Sequence, residues 1–182
     1  MTPERNSASM FTTWSLLHQS YSLVYKNLDQ LMTKTGISQA QASVLVVLKS
    51  VGRPLPLSKL ARLLVQEAQS VTSLVDRLES RGLVRRVPDS KDRRVINVEL
   101  TPDGESLFDR IYPAAHQGIS EIFAGLNPRE LHALTDSLRK LRNRGADVLH
   151  LSRSPFEDAE KEGVFEPPDP VEARIVANGP EV

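Results

Sequence analysis

A polar segment, PDSKDRR (residues 88–94), gathers three cations and two carboxylates where the chain has to turn. It lies between two short runs, LVRRVP and VINVEL, in which apolar and polar residues roughly alternate. This alternation, with turn residues between the runs, predicts an antiparallel hairpin. Cations at a hairpin tip can contact phosphates or a narrow minor groove. The candidate contacts at this tip are Lys91, Asp92, Arg93 and Arg94, and Asp92 is expected to hold one guanidinium by a charge-assisted hydrogen bond.

Two short helical patterns precede the hairpin and would position it. The first is expected to begin at an N-cap, Ser58, and to run through Leu64. After a four-residue connection, the second, QSVTSLVDRLESRG, buries an apolar face from Val71 to Leu78 at helical spacing. Helix, turn, helix and basic hairpin in this order are typical of a winged helix-turn-helix. The outer face of the second helix carries polar side chains that can bond base edges or phosphates: Gln69, Ser70, Thr72, Ser73 and Arg77.

Longer apolar-striped helices flank this unit. Between Met10 and Leu31 the apolar spacing alternates between four and three residues, which is typical of a helix that packs along another helix, such as that of a second subunit. Thr101 and Asn127 are expected to cap two further helices, and the latter has a leucine stripe over residues 131–141. Aromatic and histidine side chains on the flanking helices form a candidate ligand pocket, for which core packing is the alternative: Trp14, His18, Tyr21, Tyr25, Phe108, Tyr112 and His116.

The charge of the chain is unevenly distributed although its formal sum is zero. Residues 53–100 carry ten cations and six anions, whereas residues 149–182 carry three cations and eight anions. A basic middle segment indicates an anionic partner. The acidic, proline-rich C-terminal segment predicts a tail that is disordered unless it docks, with Phe156, Phe165 and Val176 as docking points.

Several classes of function lack support in the sequence. The chain has no cysteine, its four histidines show no metal-ligand spacing, and it has no glycine-rich phosphate loop. No catalytic residue, metal or cofactor is therefore predicted, and the protein is not expected to be an enzyme. Without a signal-type segment or a long apolar run, a cytoplasmic protein without membrane contact is expected.

The stretch SVTSLVDRLESRGLVRRVPDSKDRRVINVELTPDGESLF resembles the diagnostic core of the MarR family of bacterial transcriptional regulators. The family pattern Glu-x-x-Gly-Leu-Val-x-Arg begins here at Glu79, a wing Asp-x-Arg spans Asp92–Arg94, and Leu-Thr-x-x-Gly spans Leu100–Gly104. The chain departs from the family at the usual turn glycine, replaced around Val65. It departs again at the usual Ser/Thr helix cap, replaced by Glu67, whose carboxylate can still cap a helix but would repel phosphate unless it points away from DNA.

The resemblance implies a mainly α fold with a β-hairpin wing and long dimerisation helices at both ends. It implies a homodimer on a pseudo-palindromic site in double-stranded DNA, acting as a repressor that a small aromatic or amphipathic ligand relieves. The expected division is an N-terminal dimerisation helix (1–34), a winged helix-turn-helix (35–100), C-terminal dimerisation helices (101–148) and an acidic tail (149–182). The alternative is a protein-interaction module that uses the winged-helix fold without binding DNA.

Overall fold

The structure, a computed structural model, describes residues 3–161 and consists mainly of helices around a small antiparallel sheet. The predicted mainly α class with a hairpin wing is confirmed. The elements are α1 (Pro3–Thr33), α2 (Gln39–Val51), β1 (Leu55–Pro56), α3 (Leu57–Leu63), α4 (Ala68–Glu79), β2 (Val84–Pro88), β3 (Ile96–Leu100), α5 (Pro102–Phe123), α6 (Pro128–Val148) and α7 (Ser154–Lys161).

Helix starts fall where polar capping residues stand in the sequence. The Ser38 hydroxyl accepts a hydrogen bond from the Gln41 amide and begins α2. Thr101 caps α5 through the Gly104 amide, 3.1 Å away. Asn127 caps α6 in a capping box with Glu130. These caps satisfy amides that the first helical turn leaves unpaired, and those of Thr101 and Asn127 confirm the predicted starts of the two later flanking helices.

The start of α3 differs from the prediction. Ser58 does not cap the helix; α3 begins at Leu57, and Pro56 occupies the cap position without a side-chain hydrogen bond. The reason is that Leu55 and Pro56 pair with β3 as a third strand, so the backbone turns into the helix directly after the proline. Ser58 therefore lies inside the first helical turn.

The turn between α3 and α4 closes on a left-handed valine. Val65 has φ 51°, its amide donates to the Arg62 carbonyl, and the Gln66 amide donates to the Ala61 carbonyl, both at 3.0 Å. This pair of hydrogen bonds is the Schellman helix stop, in which glycine usually takes the left-handed position. A β-branched residue in this conformation is strained.

The hairpin is fixed to the helices at its base. The sheet order is β1-β3-β2, with Val84 opposite Leu100 and Pro88 opposite Ile96. A Cβ on Gly104 would stand 1.9 Å from the Leu83 carbonyl oxygen, so only glycine allows α5 to start this close to β2. The close contact between α5 and the Leu83 backbone explains why the Leu-Thr-x-x-Gly motif ends in glycine.

One buried cluster connects the helix pair, the sheet and the inner ends of the longer helices. It includes the side chains of Met32, Leu45, Leu55, Leu60, Leu78, Val98 and Phe108. Because α2, α3 and α4 all contribute to this cluster, the helix-turn-helix is one packed unit with the sheet.

A short helix, α7, follows the main body and packs on α3. The docking predicted for Phe156 is confirmed, since its side chain is 6% exposed and Ala159 is 1% exposed. The Arg142 guanidinium lies 5.1 Å from the centre of the Phe156 ring, and Glu160 pairs with both Arg139 and Arg142 of α6. Residues 154–161 are therefore a packed part of the fold rather than a free tail. The other predicted docking points, Phe165 and Val176, lie outside the described residues.

Candidate nucleic-acid interface

Helix α4 is held by its apolar face and presents its polar face outward. Val71, Val75 and Leu78 are fully buried against the core cluster. Glu67 occupies the cap position of α4, but its side chain makes no capping hydrogen bond. The N-terminal amides of α4 therefore have no side-chain cap.

The predicted contact residues of α4 are accessible. Thr72 is half-buried; the exposed members are Gln69, Ser70, Ser73 and Arg77. The Thr72 hydroxyl donates to the Ala68 carbonyl (2.8 Å), and the Ser73 hydroxyl donates to the Gln69 carbonyl (3.1 Å). With their protons engaged inside the helix, these hydroxyls offer lone pairs, which suit the exocyclic amino groups of cytosine or adenine.

Arg86 on β2 bridges the two carboxylates at the end of α4. Its guanidinium contacts Glu79 and lies 2.6 Å from the Asp76 carboxylate. A second Glu79 oxygen accepts the Arg86 backbone amide at 2.9 Å. Burial alone would lower the pKa of Arg86, but the hydrogen bonds to Asp76 and Glu79 outweigh it and raise the pKa. This arrangement fixes α4 to the hairpin and offsets one of the two negative charges of Asp76 and Glu79, which repel phosphate.

The wing, defined as residues 89–95 between β2 and β3, is built around two carboxylates. Asp89 accepts hydrogen bonds from the backbone amides of Lys91 (2.8 Å) and Asp92 (3.1 Å). Asp92 in turn accepts the backbone amide and the guanidinium of Arg94, at 3.0–3.2 Å. The predicted hold of Asp92 on one guanidinium is confirmed. The hydrogen bond with Arg94 lowers the pKa of Asp92.

The cations of the wing remain directed to solvent. The Arg94 side chain is 90% exposed although Asp92 holds it. Lys91 and Arg93 are exposed, and neither forms an ion pair within residues 3–161. The two carboxylates therefore shape the tip, and three cations stand on its surface.

The seven candidate ligand-pocket residues form separate ladders on two helices. On α1, Trp14 stacks on His18 and Tyr21 lies against Tyr25; on α5, Tyr112 contacts both Phe108 and His116. No ring contact between the two helices is found among these residues. Phe108 is 3% exposed and belongs to the core, while Trp14 and Tyr21 are largely exposed.

Two cavities lie elsewhere in the described part of the chain. One of about 430 Å³ lies between the α3–α4 turn and the segment after α6, and its lining includes Arg62 and Phe156. The other, of about 200 Å³, is lined in part by Lys49 and Glu105. None of the seven predicted pocket residues lines either of them.

Among the residues that the structure describes, no group of histidine and acidic side chains has the arrangement of a metal site. No described helix combines the length and apolar character needed to cross a membrane.

Comparison with known proteins agrees with this architecture. A model of the MarR family matches residues 35–95, which contain the helix pair and the wing. The HTH-type transcriptional repressor NicR of Pseudomonas putida is 33% identical over 127 residues, which cover 69% of this chain and 79% of NicR. The HTH-type transcriptional regulator YkoM of Bacillus subtilis is 33% identical over 105 residues, covering 58% of this chain and 68% of YkoM.

Among solved structures, BpsR of Bordetella bronchiseptica superposes on this chain with a TM-score of 0.65 at 30% identity. The match covers 72% of this chain and 98% of BpsR, a protein whose DNA binding is regulated by 6-hydroxynicotinic acid. The chain belongs to the MarR family of winged helix-turn-helix transcriptional regulators. It spans only about half the length of two other curated relatives from Bacillus subtilis, YwaE (52%) and MdtR (51%).

Sequence reasoning missed three residues that organise the interface. Arg86 was assigned only to a strand, and neither Asp89 nor Asn97 was singled out. Asn97 is buried at 6% exposure, and its amide donates to Asp89 at 3.0 Å. A polar residue amid the apolar alternation of VINVEL was the available signal for Asn97.

Proposed function

We propose that the chain is a homodimeric repressor that binds a pseudo-palindromic operator in double-stranded DNA and is released by a small aromatic or amphipathic ligand. In this proposal residues 35–100 bind DNA, while residues 1–34 and 101–148 form the dimer. The activity is binding rather than catalysis, and it takes place in the cytoplasm. The relative NicR, named as a repressor, supports the direction of regulation.

The observation that carries the proposal is the distribution of charge around α4 and the wing. Three carboxylates on α4 and the wing, Asp76, Glu79 and Asp92, are each engaged by an arginine of the same chain. The wing cations point to solvent. A surface prepared in this way attracts a polyanion.

The two elements are suited to different parts of duplex DNA. A helix of the width of α4 fits the major groove, where each base pair presents a distinct pattern of donors and acceptors. Arg77 is exposed on this helix and can bond a guanine with two hydrogen bonds. The wing is too short to read many bases, and Arg93 and Arg94 suit phosphates and the adjacent minor groove. Specificity is therefore assigned to α4 and general affinity to the wing.

A second copy of the chain is the proposed partner for two exposed apolar faces. On α1, Met10, Trp14 and Tyr21 are each about 60% exposed. On α6 the leucine stripe from Leu131 to Leu141 is 37–54% exposed. Monomeric proteins rarely leave apolar stripes of this length uncovered, and the heptad spacing of α1 favours packing along another helix.

The proposed ligand binds beside the ring-bearing helices α1 and α5. The ring ladders of α1 and α5 are the predicted contacts, and α1 packs along α5. The relative BpsR, which responds to a small aromatic acid, supports the ligand class. A second copy of α1 brought against the exposed rings would complete a pocket that one chain leaves open.

The alternative, a protein-interaction module without DNA binding, would require a recognition face filled with free acidic groups or a wing without cations. Asp76 on α4 is an acidic residue of this kind, and its pairing with Arg86 weakens the support that it gives to the alternative.

The test is selection of bound duplexes from a random-sequence pool, with sedimentation of the free protein. We expect an enriched sequence with two inverted half-sites and a dimer at micromolar concentration. Enrichment of no sequence, or a folded monomer, would contradict the proposal. Addition of small aromatic acids to the selected complex then tests release.

A further inference from the structure

Asn97 is an unusual residue for its position. It lies in β3, the central strand of the sheet, opposite Val87 on one side and Pro56 on the other. Its side-chain oxygen is buried and accepts no hydrogen bond from any group in the described part of the chain. A buried acceptor without a partner costs stability, and an apolar side chain would avoid that cost. Stability of the sheet therefore does not explain why an amide stands here.

The nitrogen of the same amide makes the one contact that an apolar residue could not replace. It donates to one oxygen of the Asp89 carboxylate at 3.0 Å, while the other oxygen accepts the amides of Lys91 and Asp92. The Asp89 backbone amide also donates to the Val95 carbonyl and closes the hairpin. Asp89 is thus held through both carboxylate oxygens and through its backbone amide.

These hydrogen bonds continue to the wing surface. Asp92, whose amide Asp89 fixes, accepts the amide and guanidinium of Arg94. A continuous series therefore runs from the buried Asn97 amide through Asp89 and Asp92 to an exposed guanidinium. In such a series each side chain is held in place by the hydrogen bond from the residue before it.

We propose that Asn97 and Asp89 form a clasp that holds the wing tip in one shape and so acts as a positioning pair for the contact between the wing cations and DNA. The proposal rests on the DNA-binding function proposed above. The clasp touches no DNA itself. It lowers the conformational freedom that the tip would otherwise lose on binding, which strengthens the contact without adding a cation.

A first experiment measures the order of the wing without DNA. Replacement Asn97→Leu removes the donor and also the unpaired oxygen. We expect a melting temperature equal to or above that of the wild type, together with exchange of the Lys91 and Asp92 amide hydrogens that is faster by about tenfold. The matched control is Ile96→Val, on the same strand and exposed, which should change neither.

A second experiment measures affinity for a mixed-sequence duplex at low salt. Asn97→Leu should bind roughly five- to tenfold more weakly, because two loosened wings must be ordered in the dimer. Asp89→Ala separates the clasp from simple electrostatics. It removes a negative charge near DNA, so electrostatics alone predicts tighter binding, whereas loss of the clasp predicts weaker binding.

Unchanged amide exchange in both Asn97→Leu and Asp89→Ala would overturn the proposal, as would tighter DNA binding by Asp89→Ala. If the wild type and Ile96→Val bind no duplex, the proposed function fails, and amide exchange alone decides whether the clasp exists. If both bind DNA and Asn97→Leu binds equally well, the function stands and the positioning role is wrong.

Discussion

Removal of the Phe156 side chain should destabilise the protein, because this ring anchors α7 to the main body. The ring is 6% exposed, it lies under the Arg142 guanidinium, and it belongs to the buried cluster that includes Ala146 and Ala159. The ion pairs of Glu160 are partly exposed and add little. The apolar contact therefore accounts for most of the docking energy.

The expected size follows from burial of one phenylalanine, about 1.5–3 kcal/mol. For a chain of this length each kcal/mol lowers the melting temperature by about 2–4 °C. Phe156→Ala should therefore melt about 3–12 °C below the wild type. The assay is circular dichroism at a fixed protein concentration, since dimerisation makes the melting temperature depend on concentration.

Two truncations separate the helix from the acidic residues beyond it. A chain ending at Lys161 keeps α7 and loses five acidic residues and one basic residue. It should bind mixed-sequence DNA more tightly at low salt. A chain ending at residue 150 should lose stability as Phe156→Ala does. A Phe156→Ala protein that melts within about 1 °C of the wild type would refute the packing argument.

Two further predictions concern the turn and the wing. Val65→Gly should raise the free energy of unfolding by about 1 kcal/mol, because glycine relieves the left-handed strain. The substitution removes little buried apolar area, since the valine is 64% exposed. Denaturant unfolding checks this, and a less stable Val65→Gly would contradict it. Hydrogen bonds from Asn97 and the Lys91 and Asp92 amides lower the pKa of Asp89, and those from Arg94 lower that of Asp92. Because the pKa of each carboxyl is lowered in the folded protein, the hydrogen bonds that order the wing are fully formed above pH 3.8, the ordinary pKa of an aspartate. They are lost as the pH falls through the lowered pKa. Nuclear magnetic resonance titration of both carboxyls tests this, and midpoints at or above 3.8 would show that the hydrogen bonds are absent in solution.

The fold was largely predictable because its local signals agree with one another. The polar caps Ser38, Thr101 and Asn127 stand directly before apolar stripes, and the strand alternation flanks a polar turn. The start of α3 was mispredicted because Pro56 pairs in the sheet, a long-range contact that a local cap signal at Ser58 does not contain.

The sequence predicts which residues belong to the candidate site, but not which of them bond to one another. The exposed residues of α4 and the wing follow from helical and strand periodicity, and the Asp92–Arg94 bond follows from their spacing. Arg86 reaches Asp76 over ten residues of sequence, and Asn97 reaches Asp89 over eight, so these pairs appear only when the register of the hairpin is known. The docking of Phe156 depends likewise on where α3 and α6 lie.

The most direct test of the central claim compares Arg94→Ala with Arg77→Ala in binding titrations at several salt concentrations, against the selected operator and its single-base variants. Arg94→Ala should weaken all sequences by a similar factor and reduce the slope of log K against log salt by about 0.9 per contact, or roughly 2 for a dimer. Arg77→Ala should relax preference at particular base pairs, at about 1–3 kcal/mol for each lost two-bond contact. If Arg94→Ala leaves both affinity and salt slope unchanged, the wing does not touch DNA and the account is contradicted.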